Sequence, residues 1–410
     1  MNNEKALLFV GGIYTEDKIN EILSKSKRNP QMAANNFQWG LIHGFDEVLH
    51  GPVTILNELF IGSYPRNYKD PIIFPRRFSH VKNAEDIELG FINICYFKQI
   101  LRPFGERRFI KKWLEEHNGA NVFIYALTNR TIRIAKYIKK ISSDTKIMVS
   151  VNDLPQHIMK AKDGNPVVDL WKKIQTRTVY SGLKYIDGFM LVAERQSDIL
   201  GINKDRSVIV EAITDKMKYE YIPLKPDQFG DVKNIVYTGT LAIKYNILNL
   251  VNAFMQIHDK DIRLIICGDG EAKEEIQNKA KIDNRIIFKG VIPKEEVYKE
   301  LHSAWVLVNP RNKGQVFTDY SFPIKTIDYL SAGRPVICQR LEAIPEEYDE
   351  HLIYFEASEN DKSLVDTITH VLGLSIDEIE VIGRHNIDFV NENKTPQVQT
   401  KKILDLFERL

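Results

Sequence analysis

Residues 305–339, WVLVNPRNKGQVFTDYSFPIKTIDYLSAGRPVICQ, contain the pattern that decides the fold. The apolar run at 305–310 predicts a buried strand, and the apolar spacing at 322–332 predicts a helix. Gly333 is typical of a helix end, and 334–339 predicts a second strand. Two continuous apolar strands joined by a helix predict a parallel unit of the sheet, because strands covered on both faces carry no polar alternation.

The same alternation extends through the second half of the chain. Strands are predicted at 234–241, 262–268, 285–291, 305–310, 334–339 and 352–357, with helices at 246–258, 271–281, 293–303 and 322–332. Short strands rich in β-branched residues that alternate with helices are typical of a doubly wound α/β domain. We therefore expect this half of the chain to be Rossmann-like.

The first half repeats the alternation less regularly. Strands are predicted at 6–12, 53–61, 90–96, 122–127, 146–151, 188–193 and 207–212, and helices at 31–49, 103–117, 130–141, 170–185 and 194–200. Three further helices are predicted at 359–373, 376–393 and 396–409. The expected fold is α/β, with two Rossmann-like domains facing each other across a cleft and ligands at the carboxyl ends of the strands.

The domain boundaries are predicted from a polar segment near the middle of the chain. Residues 214–234 contain two prolines and show no clear periodicity, which is typical of a linker. The predicted division is an N-terminal domain at 1–215, a linker at 216–233, a C-terminal domain at 234–385 and C-terminal helices at 386–410. These last helices can pack back on the N-terminal domain.

Length and composition exclude several classes of protein. The 410 residues suit two domains, and a hydrophobic content of 43% argues against disorder. A formal net charge of +1 argues against an extended nucleic-acid surface. The three cysteines, Cys95, Cys267 and Cys338, lie in or beside apolar runs. Their odd number favours buried thiols in a reducing compartment.

No apolar run is long enough to cross a bilayer, and the first residues lack a signal-peptide cleavage region. We therefore expect a cytoplasmic protein. Basic segments at 75–78 and 102–113 allow peripheral contact with the inner face of a membrane, although such charges are usually a solvated surface.

Candidate binding residues directly follow the predicted strands of the second half: Gly239, Thr240, Lys244, Gly268, Gly270, Gly290 and Val291. Gly239 allows close approach of a ligand to the backbone. Lys244 precedes a helix, where a phosphate would meet both a cation and free N–H groups. Each of these motifs alone is equally typical of an ordinary turn or a surface lysine.

The segment 308–337 is the most informative candidate. Its glycine-containing loop enters a helix through Ser321, Phe322 and Pro323, and Lys325 and Asp328 follow within the first turns. A lysine here can reach a diphosphate, and a carboxylate can accept hydrogen bonds from both hydroxyls of a ribose. The alternative is an ordinary ion pair on a helix surface, worth only ~0.2–0.5 kcal/mol.

Taken together, these motifs resemble those of a known family. Gly239 with Lys244, GDG, KGVIP, NPR and SFPIKTIDYLSAGRPVI occur in the order seen in GT-B glycosyltransferases. The chain resembles the bacterial family-4-like enzymes that build capsules, exopolysaccharides and other surface polysaccharides. The resemblance is strongest at 234–345. The stretches at 31–45 and 151–159 also resemble such transferases but are less diagnostic.

The resemblance implies that the C-terminal domain binds a nucleotide sugar and that the N-terminal domain faces the acceptor. The residues then expected to bind the donor are Gly12, Gly239, Thr240, Lys244, Gly268, Gly270, Gly290, Val291, Arg311, Tyr320, Ser321, Phe322, Pro323, Ile324, Lys325 and Asp328. Gly12 ends the first strand and is equally compatible with a plain turn.

The chain departs from the family pattern at three positions. The family often carries two glutamates separated by seven residues; the second corresponds to Asp328, and the first would fall at Tyr320, beside Asp319. Thr240 stands near the place of the usual arginine. Three interpretations follow: Tyr320 and Asp319 take over the sugar contact, the donor sugar differs, or catalysis has been lost.

Asp153 is the best candidate in the first half, because it follows a predicted strand and would face the cleft. It would contact the acceptor or the transferred sugar, unless it only caps a turn before Pro155. His157 is a weaker candidate. No metal is expected, because Asp259-Lys260-Asp261 precedes a strand and lies at the wrong end of the sheet. Lys244 and Lys325 would instead neutralise the leaving diphosphate, so no cofactor is expected.

The predicted activity is transfer of a hexosyl-type sugar from a nucleotide diphosphate sugar, with UDP as the expected carrier, to a carbohydrate or polyprenyl-linked acceptor. The resemblance favours retention at the anomeric carbon. Lys244, Lys325 and Asp153 are the residues expected to act in catalysis. Two alternatives remain open: a nucleotide-sugar 2-epimerase, and a catalytically silent partner or glycan-binding subunit that keeps the fold.

Overall fold

The computed structural model describes residues 5–28, 30–95, 97–155, 166–214, 218–224, 232–314 and 316–410. The chain divides into two compact units. The first comprises Met1–Asp215 and Pro396–Leu410, and the second comprises Lys216–Thr395.

The first unit is built on a mainly parallel sheet. Its strands are β1 (Leu7–Gly11), β2 (Thr54–Asn57), β3 (Ile72–Ile73), β4 (Arg76–Phe78), β5 (Asp86–Glu88), β6 (Phe91–Ile92), β7 (Asn121–Ile124), β8 (Lys146–Val151), β9 (Gly188–Leu191) and β10 (Ser207–Ile209). The sheet order is β10-β9-β8-β7-β1-β2-β5-β4, and only β4 runs antiparallel to its neighbour. β3 and β6 form a separate antiparallel pair.

The helices of this part of the chain are α1 (Glu16–Lys25), α2 (Met32–Val48), α3 (Phe97–Glu116), α4 (Asn129–Ile141), α5 (Pro166–Gly182) and α6 (Arg195–Leu200). Every residue of β1 is buried, and Phe9 on this strand stacks on Phe123 with 5.7 Å between ring centroids. Burial on both faces explains why the strand is continuously apolar.

Some elements of the first unit differ from the sequence expectation. The predicted strand at 90–96 is reduced to the two residues of β6, and α1, β3, β4 and β5 were not predicted. Helix α1 buries only Ile22, so it shows little apolar periodicity. The short strands carry two or three residues each, too few for a period to be recognised.

The second unit has a sheet in which every strand is parallel to its neighbours. Its strands are β11 (Lys233–Thr238), β12 (Ile262–Cys267), β13 (Ile286–Gly290), β14 (Val306–Asn309), β15 (Val336–Cys338) and β16 (Ile353–Tyr354). Its helices are α7 (Ile247–Met255), α8 (Lys273–Ile282), α9 (Lys294–His302), α10 (Lys325–Ser331), α11 (Lys362–Leu372) and α12 (Ile376–Asn393). All six strands were predicted, and each predicted range extends beyond the carboxyl end of the observed strand.

The strand order of this sheet is β13-β12-β11-β14-β15-β16, the order of a Rossmann fold. After β11, the chain adds β12 and β13 on one side of this strand. It then adds β14, β15 and β16 on the other side. This reversal opens a crevice outside the carboxyl ends of β11 and β14, where open α/β sheets bind ligands. The expected α/β class with two Rossmann-like units is confirmed.

The last helix, α13 (Pro396–Arg409), belongs to the first unit. Its residues Ile403, Leu406 and Phe407 are buried in the same core as Phe45 of α2. Helix α12 belongs to the second unit, so the predicted segment 386–410 is divided between the two units after Thr395.

Part of the segment predicted as a linker, residues 218–224, packs within the second unit. The backbone N–H of Tyr219 donates to Asn391 Oδ1 at 2.6 Å, and Asn391 Nδ2 donates to the Tyr219 carbonyl at 2.8 Å. Leu224 is buried in the core of this unit. These contacts join the segment to α12.

The three cysteines are unpaired thiols. Cys267 and Cys338 are buried, as expected, but Cys95 is exposed, because it follows the two-residue strand β6 rather than lying within a buried one. Across the described part of the chain, no helix is both long and apolar enough to cross a membrane.

The basic segments at 75–78 and 102–113 carry acidic partners. Arg76 forms ion pairs with Asp17 and Glu88, and its Nη1 lies 2.7 Å from Asp17 Oδ2. On α3, Lys111 and Lys112 each face a glutamate one turn later. The arrangement is that of a solvated surface with compensated charge.

Candidate functional site

The crevice beside β11 and β14 brings together several of the candidate residues of the second half. The loop after β11 carries Gly239 and Thr240, the loop after β14 carries Arg311, and α10 begins with Lys325. These segments are far apart in the chain, and the strand order brings them to one edge of the sheet.

Lys325 is the central cation of this site. Its half-buried Nζ donates a hydrogen bond of 2.9 Å to the hydroxyl of Tyr237 and lies 4.3 Å from the centre of the tyrosine ring. Burial and then the charge of Arg311 lower the pKa of Lys325 to about 7, against the opposing effect of Asp328. An anion placed here would restore the favourable charged state.

Gly239 makes this position of Lys325 possible. The glycine has a φ of +130°, and a Cβ at this position would lie 1.9 Å from Lys325 Nζ and 2.1 Å from its Cε. The lysine side chain therefore passes directly over the glycine backbone. Any larger residue at position 239 would displace it.

Two buried tyrosines support this arrangement, and the sequence analysis missed their roles. The Tyr237 hydroxyl donates to the Thr240 carbonyl at 2.8 Å, so one side chain connects Lys325 to the loop after β11. The Tyr329 hydroxyl accepts from the Thr238 N–H at 3.0 Å and donates to the carbonyl of the same residue. Burial raises the pKa of both tyrosines, which keeps the hydroxyls neutral. In the sequence both residues look like ordinary core positions.

Arg311 and Lys244 approach the same aromatic ring. The guanidinium carbon of Arg311 lies 4.2 Å from the ring centre of Tyr245, and Lys244 Nζ lies 5.2 Å from it. Burial lowers the pKa of Arg311, whereas Lys244 is exposed on the short 3-10 turn Ile243–Tyr245. The crevice therefore combines two partly buried cations with a third at its edge.

The glycines after β11 and β12 pack backbone against backbone. A Cβ on Gly268 would lie 1.8 Å from the Gly239 carbonyl oxygen, and one on Gly270 would lie 2.7 Å from the Leu241 carbonyl. The Gly268 N–H donates to the Gly290 carbonyl at 2.7 Å. These backbone contacts require glycine at positions 268 and 270 whether or not a ligand binds. Val291, in contrast, is 78% exposed at the end of β13.

The residues before α10 hold the loop in place. Tyr320, Phe322 and Pro323 are buried, and Phe322 packs on Tyr348 with 5.3 Å between ring centroids. Ser321 is half-buried, and Ile324 is exposed. The helix begins at Lys325 rather than at 322, and Ile324 is its N-cap residue.

Asp328 lies in the first turn of α10, with its side chain exposed to solvent. Burial and the Arg311 charge lower the pKa of Lys325, and the negative charge of Asp328 opposes this lowering. Lys325 and Asp328 are therefore neighbours, as their spacing predicted. Thr240 is exposed beside them on the other loop.

Gly12 and Asp153 lie in the first unit. The Gly12 N–H already donates a hydrogen bond to Gln38 Oε1 at 2.8 Å, and a Cβ on Gly12 would lie 2.0 Å from Phe60. Asp153 is exposed after β8; burial raises the pKa of Tyr125, and the charge of Asp153 adds to this shift. His157 lies outside the described residues.

Within the described residues, no group of three or more histidine, cysteine or acidic side chains could hold a metal ion. Asp259, the first carboxylate of the Asp-x-Asp sequence, accepts a 2.8 Å hydrogen bond from the N–H of Asp261. This turn directly precedes β12, at the amino end of the strand.

Residues 232–373 match the family described as glycosyl transferases group 1. The match covers β11 to α11 and therefore includes every element of the crevice described above. A search of curated proteins found no significant match.

Solved structures share the fold along nearly the whole chain. The apo form of the lipopolysaccharide outer core galactosyltransferase WaaB is 16% identical, with a TM-score of 0.62 over 99% of this chain and 100% of that one. Sucrose-phosphate synthase from Thermosynechococcus elongatus is 13% identical, with a TM-score of 0.64 and 99% of each chain covered. Anabaena Alr3699/HepE in complex with UDP and glucose is 11% identical, with a TM-score of 0.57 over 99% of this chain and 100% of that one.

The family match of residues 232–373 and the fold of the chain identify the class of protein. The chain is a glycosyltransferase with the GT-B fold. The resemblance drawn from the motifs at 234–345 is confirmed at this level.

Proposed function

We propose that this glycosyltransferase moves a hexosyl-type sugar from a UDP-sugar to a glycan or lipid-linked acceptor. The observation that carries the proposal is the position of Lys325, whose ammonium group lies over Gly239 at the point where the strand order reverses. Burial and Arg311 lower the pKa of Lys325, so a multiply charged anion would strongly stabilise its ammonium form. The diphosphate of a nucleotide sugar is such an anion.

In the proposed reaction, Lys325, Arg311 and Lys244 stabilise the diphosphate as it departs from the anomeric carbon. Negative charge grows on the leaving group in the transition state, so cations held in place beforehand lower the barrier. Asp328 would accept hydrogen bonds from the ribose hydroxyls one turn further along α10. We propose retention at the anomeric carbon, in line with the family resemblance.

Two of the structural neighbours support the choice of donor. The HepE structures are described as complexes with UDP, one of them with glucose as well, and WaaB is described as a galactosyltransferase. As part of the proposal, we take UDP as the carrier and a hexose as the sugar that this chain transfers. The acceptor we propose is a growing glycan or a polyprenyl-linked sugar.

We also propose that turnover needs no metal ion. The three cations of the crevice supply the positive charge that a metal would otherwise bring to a diphosphate. Activity should therefore survive EDTA, and activity that is abolished by EDTA and restored by Mn²⁺ or Mg²⁺ would contradict this part of the proposal.

The experiment that tests the donor site is calorimetric titration with UDP. Lys325→Ala should weaken binding by ~1.5–3 kcal/mol, because a charge-assisted hydrogen bond is lost. Lys260→Ala is the matched control: Lys260 is exposed in the turn before β12, away from the carboxyl ends of the strands. Equal UDP affinity in wild type and a folded Lys325→Ala variant would refute the site.

A donor screen separates transferase activity from the alternatives. Several UDP-sugars are incubated with and without an acceptor extract, and released UDP and epimerised sugar are measured. UDP release that depends on the acceptor supports transfer. Interconversion of free UDP-sugars would indicate an epimerase, and UDP binding without turnover would indicate a catalytically silent subunit.

A further inference from the structure

The two-stranded sheet of β3 and β6 carries apolar side chains on both of its faces. Ile72 pairs with Ile92, and Ile73 pairs with Phe91. Ile73 and Phe91 are buried in a core cluster of the first unit. Because successive side chains of a strand point to opposite faces, the pair of Ile72 and Ile92 lies on the other face, where Ile72 is exposed.

The exposed face extends beyond this pair. Phe74 directly follows β3, two positions after Ile72, and is 75% exposed. Ile94 is also exposed and forms a bridge with the exposed Tyr64. We call Tyr64, Ile72, Phe74 and Ile94 the outer face of this sheet. Large apolar side chains that lie together at the surface mark an interaction site more often than singly exposed ones do.

Three exposed basic side chains lie beside the outer face. Lys27 Nζ donates a hydrogen bond of 2.8 Å to the carbonyl of Pro65, the residue after Tyr64. Arg66 is the next residue, and Lys69 follows in the same loop before β3. The outer face therefore has positive charge close to its apolar groups.

Acidic groups do not compensate these charges. In the described part of the chain, Lys27, Arg66 and Lys69 form no ion pair with a carboxylate. Asp70, the acidic residue of the same loop, is paired with Lys25 at 2.7 Å. A partner that combines negative charge with an apolar interior would complement this surface.

A second copy of the chain suits the outer face poorly. A symmetric dimer would bring the same surface of both copies together, so the three cations would meet their own equivalents. Like charges that are brought together oppose association. An anionic lipid surface instead attracts lysine and arginine, and its acyl chains accept apolar side chains. A tyrosine suits the boundary between the two layers, because its ring is apolar and its hydroxyl is polar.

We propose that the outer face docks the first unit on a bilayer that contains anionic phospholipids. Phe74 and Ile72 enter the boundary between the headgroups and the acyl chains, while Lys27, Arg66 and Lys69 contact the phosphates. A few apolar side chains with a few cations give reversible binding to the surface of the bilayer. The proposal goes beyond sugar transfer and does not depend on the donor site.

The test is flotation of the full chain with vesicles. One set contains phosphatidylcholine alone, and the other contains about one third phosphatidylglycerol. Partition into the anionic vesicles should be stronger by about tenfold or more at low salt, because each basic side chain near the surface adds to the attraction. Raising NaCl from about 50 to about 500 mM should reduce this difference, since salt screens exposed charges.

Substitutions separate the apolar part of the contact from the charged part. Phe74→Ser and Ile72→Ser should each lower partition into anionic vesicles by about fivefold or more, since each removes apolar surface that enters the bilayer. Arg66→Gln combined with Lys69→Gln should lower partition into anionic vesicles and leave the weak partition into phosphatidylcholine unchanged.

Matched controls are available in the second unit. Ile282 is 77% exposed at the end of α8, so Ile282→Ser removes as accessible an apolar side chain as Phe74→Ser does. Lys281 is exposed beside it, and Lys281→Gln removes one surface charge. Both variants should bind anionic vesicles as wild type does.

Cys95 allows the contact to be located on the protein. It directly follows Ile94 and is exposed, whereas Cys267 and Cys338 are buried. Burial also raises the pKa of both buried thiols, so an environment-sensitive thiol dye should label Cys95 selectively. The emission of the dye should shift to the blue on anionic vesicles, and lipids with brominated acyl chains should quench it.

Three outcomes would overturn the proposal: the chain does not float with anionic vesicles, both outer-face serine variants bind them as tightly as Ile282→Ser, or the dye on bound protein keeps its emission in water. Sedimentation without lipid tests the other occupant. Self-association that Phe74→Ser abolishes would assign the outer face to a second copy and would also overturn the proposal.

Ile72→Ser tests the outer face even if Phe74→Ser does not fold. UDP titration of the same variants keeps this proposal separate from the donor proposal. Normal UDP binding without vesicle binding in the wild type refutes only the docking surface. Vesicle binding that depends on Phe74 and Ile72 in a protein that binds no UDP supports the docking surface and refutes the donor site.

Discussion

Lys325 carries a charge that depends on pH in the physiological range. Its pKa of about 7 arises from burial and from the neighbouring Arg311 charge. A bound diphosphate would favour the ammonium form and raise that pKa. Above neutral pH, UDP binding should therefore be accompanied by uptake of a proton.

We expect the affinity for UDP to fall as the pH rises from 7 to 9, by at most about tenfold per pH unit, since one proton is taken up. Lys325→Arg keeps its charge throughout this range and should show a much smaller change. Calorimetry in buffers with different ionisation enthalpies measures the proton uptake directly. An equal pH dependence in both proteins would mean that Lys325 does not contact the diphosphate.

Asp328 allows a test of ribose recognition. Asp328→Asn keeps the size of the side chain but places a donor against the ribose hydroxyls, so it should cost more UDP affinity than Asp328→Glu. Wild type should prefer UDP over 2′-deoxy-UDP, and Asp328→Asn should lose much of that preference. If Asp328 only forms an ion pair on an exposed helix, neither change should exceed ~0.5 kcal/mol. Equal binding of the two nucleotides to wild type would exclude contact with the 2′-hydroxyl.

A buried histidine joins several elements of the first unit. The His80 side chain is fully buried; its Nδ1 lies 2.6 Å from Asp86 Oδ2 and its Nε2 lies 2.9 Å from Asp46 Oδ2. The same two aspartates accept the backbone N–H groups of Val53 and Ile55. The cluster therefore connects α2, β2 and β5. Burial acts to lower the pKa of His80, but the hydrogen bonds to Asp46 and Asp86 outweigh it and raise the pKa to about 9.

This raised pKa predicts how stability depends on pH. The charged His80 adds its full share to the free energy of unfolding below its unfolded pKa of about 6.5. This stabilisation is lost as the pH rises through about 9. The difference in unfolding free energy between wild type and His80→Gln should shrink by roughly 2–4 kcal/mol from pH 6 to pH 10. Urea unfolding of the first unit measures it, and a constant difference would contradict the charged state of His80.

At the scale of the whole molecule, helix α13 completes the core of the first unit, although the second unit lies between them in the sequence. Helix α13 inserts Ile403, Leu406 and Phe407 beside the apolar face of α2. The approach is close: a Cβ on Gly44 would lie 2.3 Å from the Pro396 carbonyl oxygen. The stability of the first unit thus depends on a helix that follows the whole second unit in the sequence.

Leu406→Ala should destabilise the first unit by about 2–5 kcal/mol, because a fully buried side chain is replaced by a cavity. Glu408→Ala is the control on the exposed face of the same helix and should stay within about 0.5 kcal/mol. Hydrogen exchange should show the lost protection in residues 5–214 and 396–410, with residues 232–395 unchanged. Loss of protection confined to 232–395 would show that α13 supports the other unit.

The regular part of the fold followed from local patterns. All six strands of the second unit were predicted, since buried parallel strands are short, continuously apolar and bounded by turn residues. Helix α1 and strands β3 to β5 were missed, because a polar surface helix and strands of two or three residues carry little periodicity. The same limitation explains why the strand predicted at 90–96 shrinks to two residues.

The local pattern determined the α/β class, the position of each strand of the second unit, and the placement of Lys325 and Asp328 in the first turn of one helix. These depend on residues within a few turns of one another. Only the tertiary structure decided that Tyr237 holds Lys325, that Gly239 makes room for it, and that α13 joins the first unit. These contacts connect residues separated by dozens to hundreds of positions, and the order of strands in the sheet, which no local periodicity encodes, brings them together.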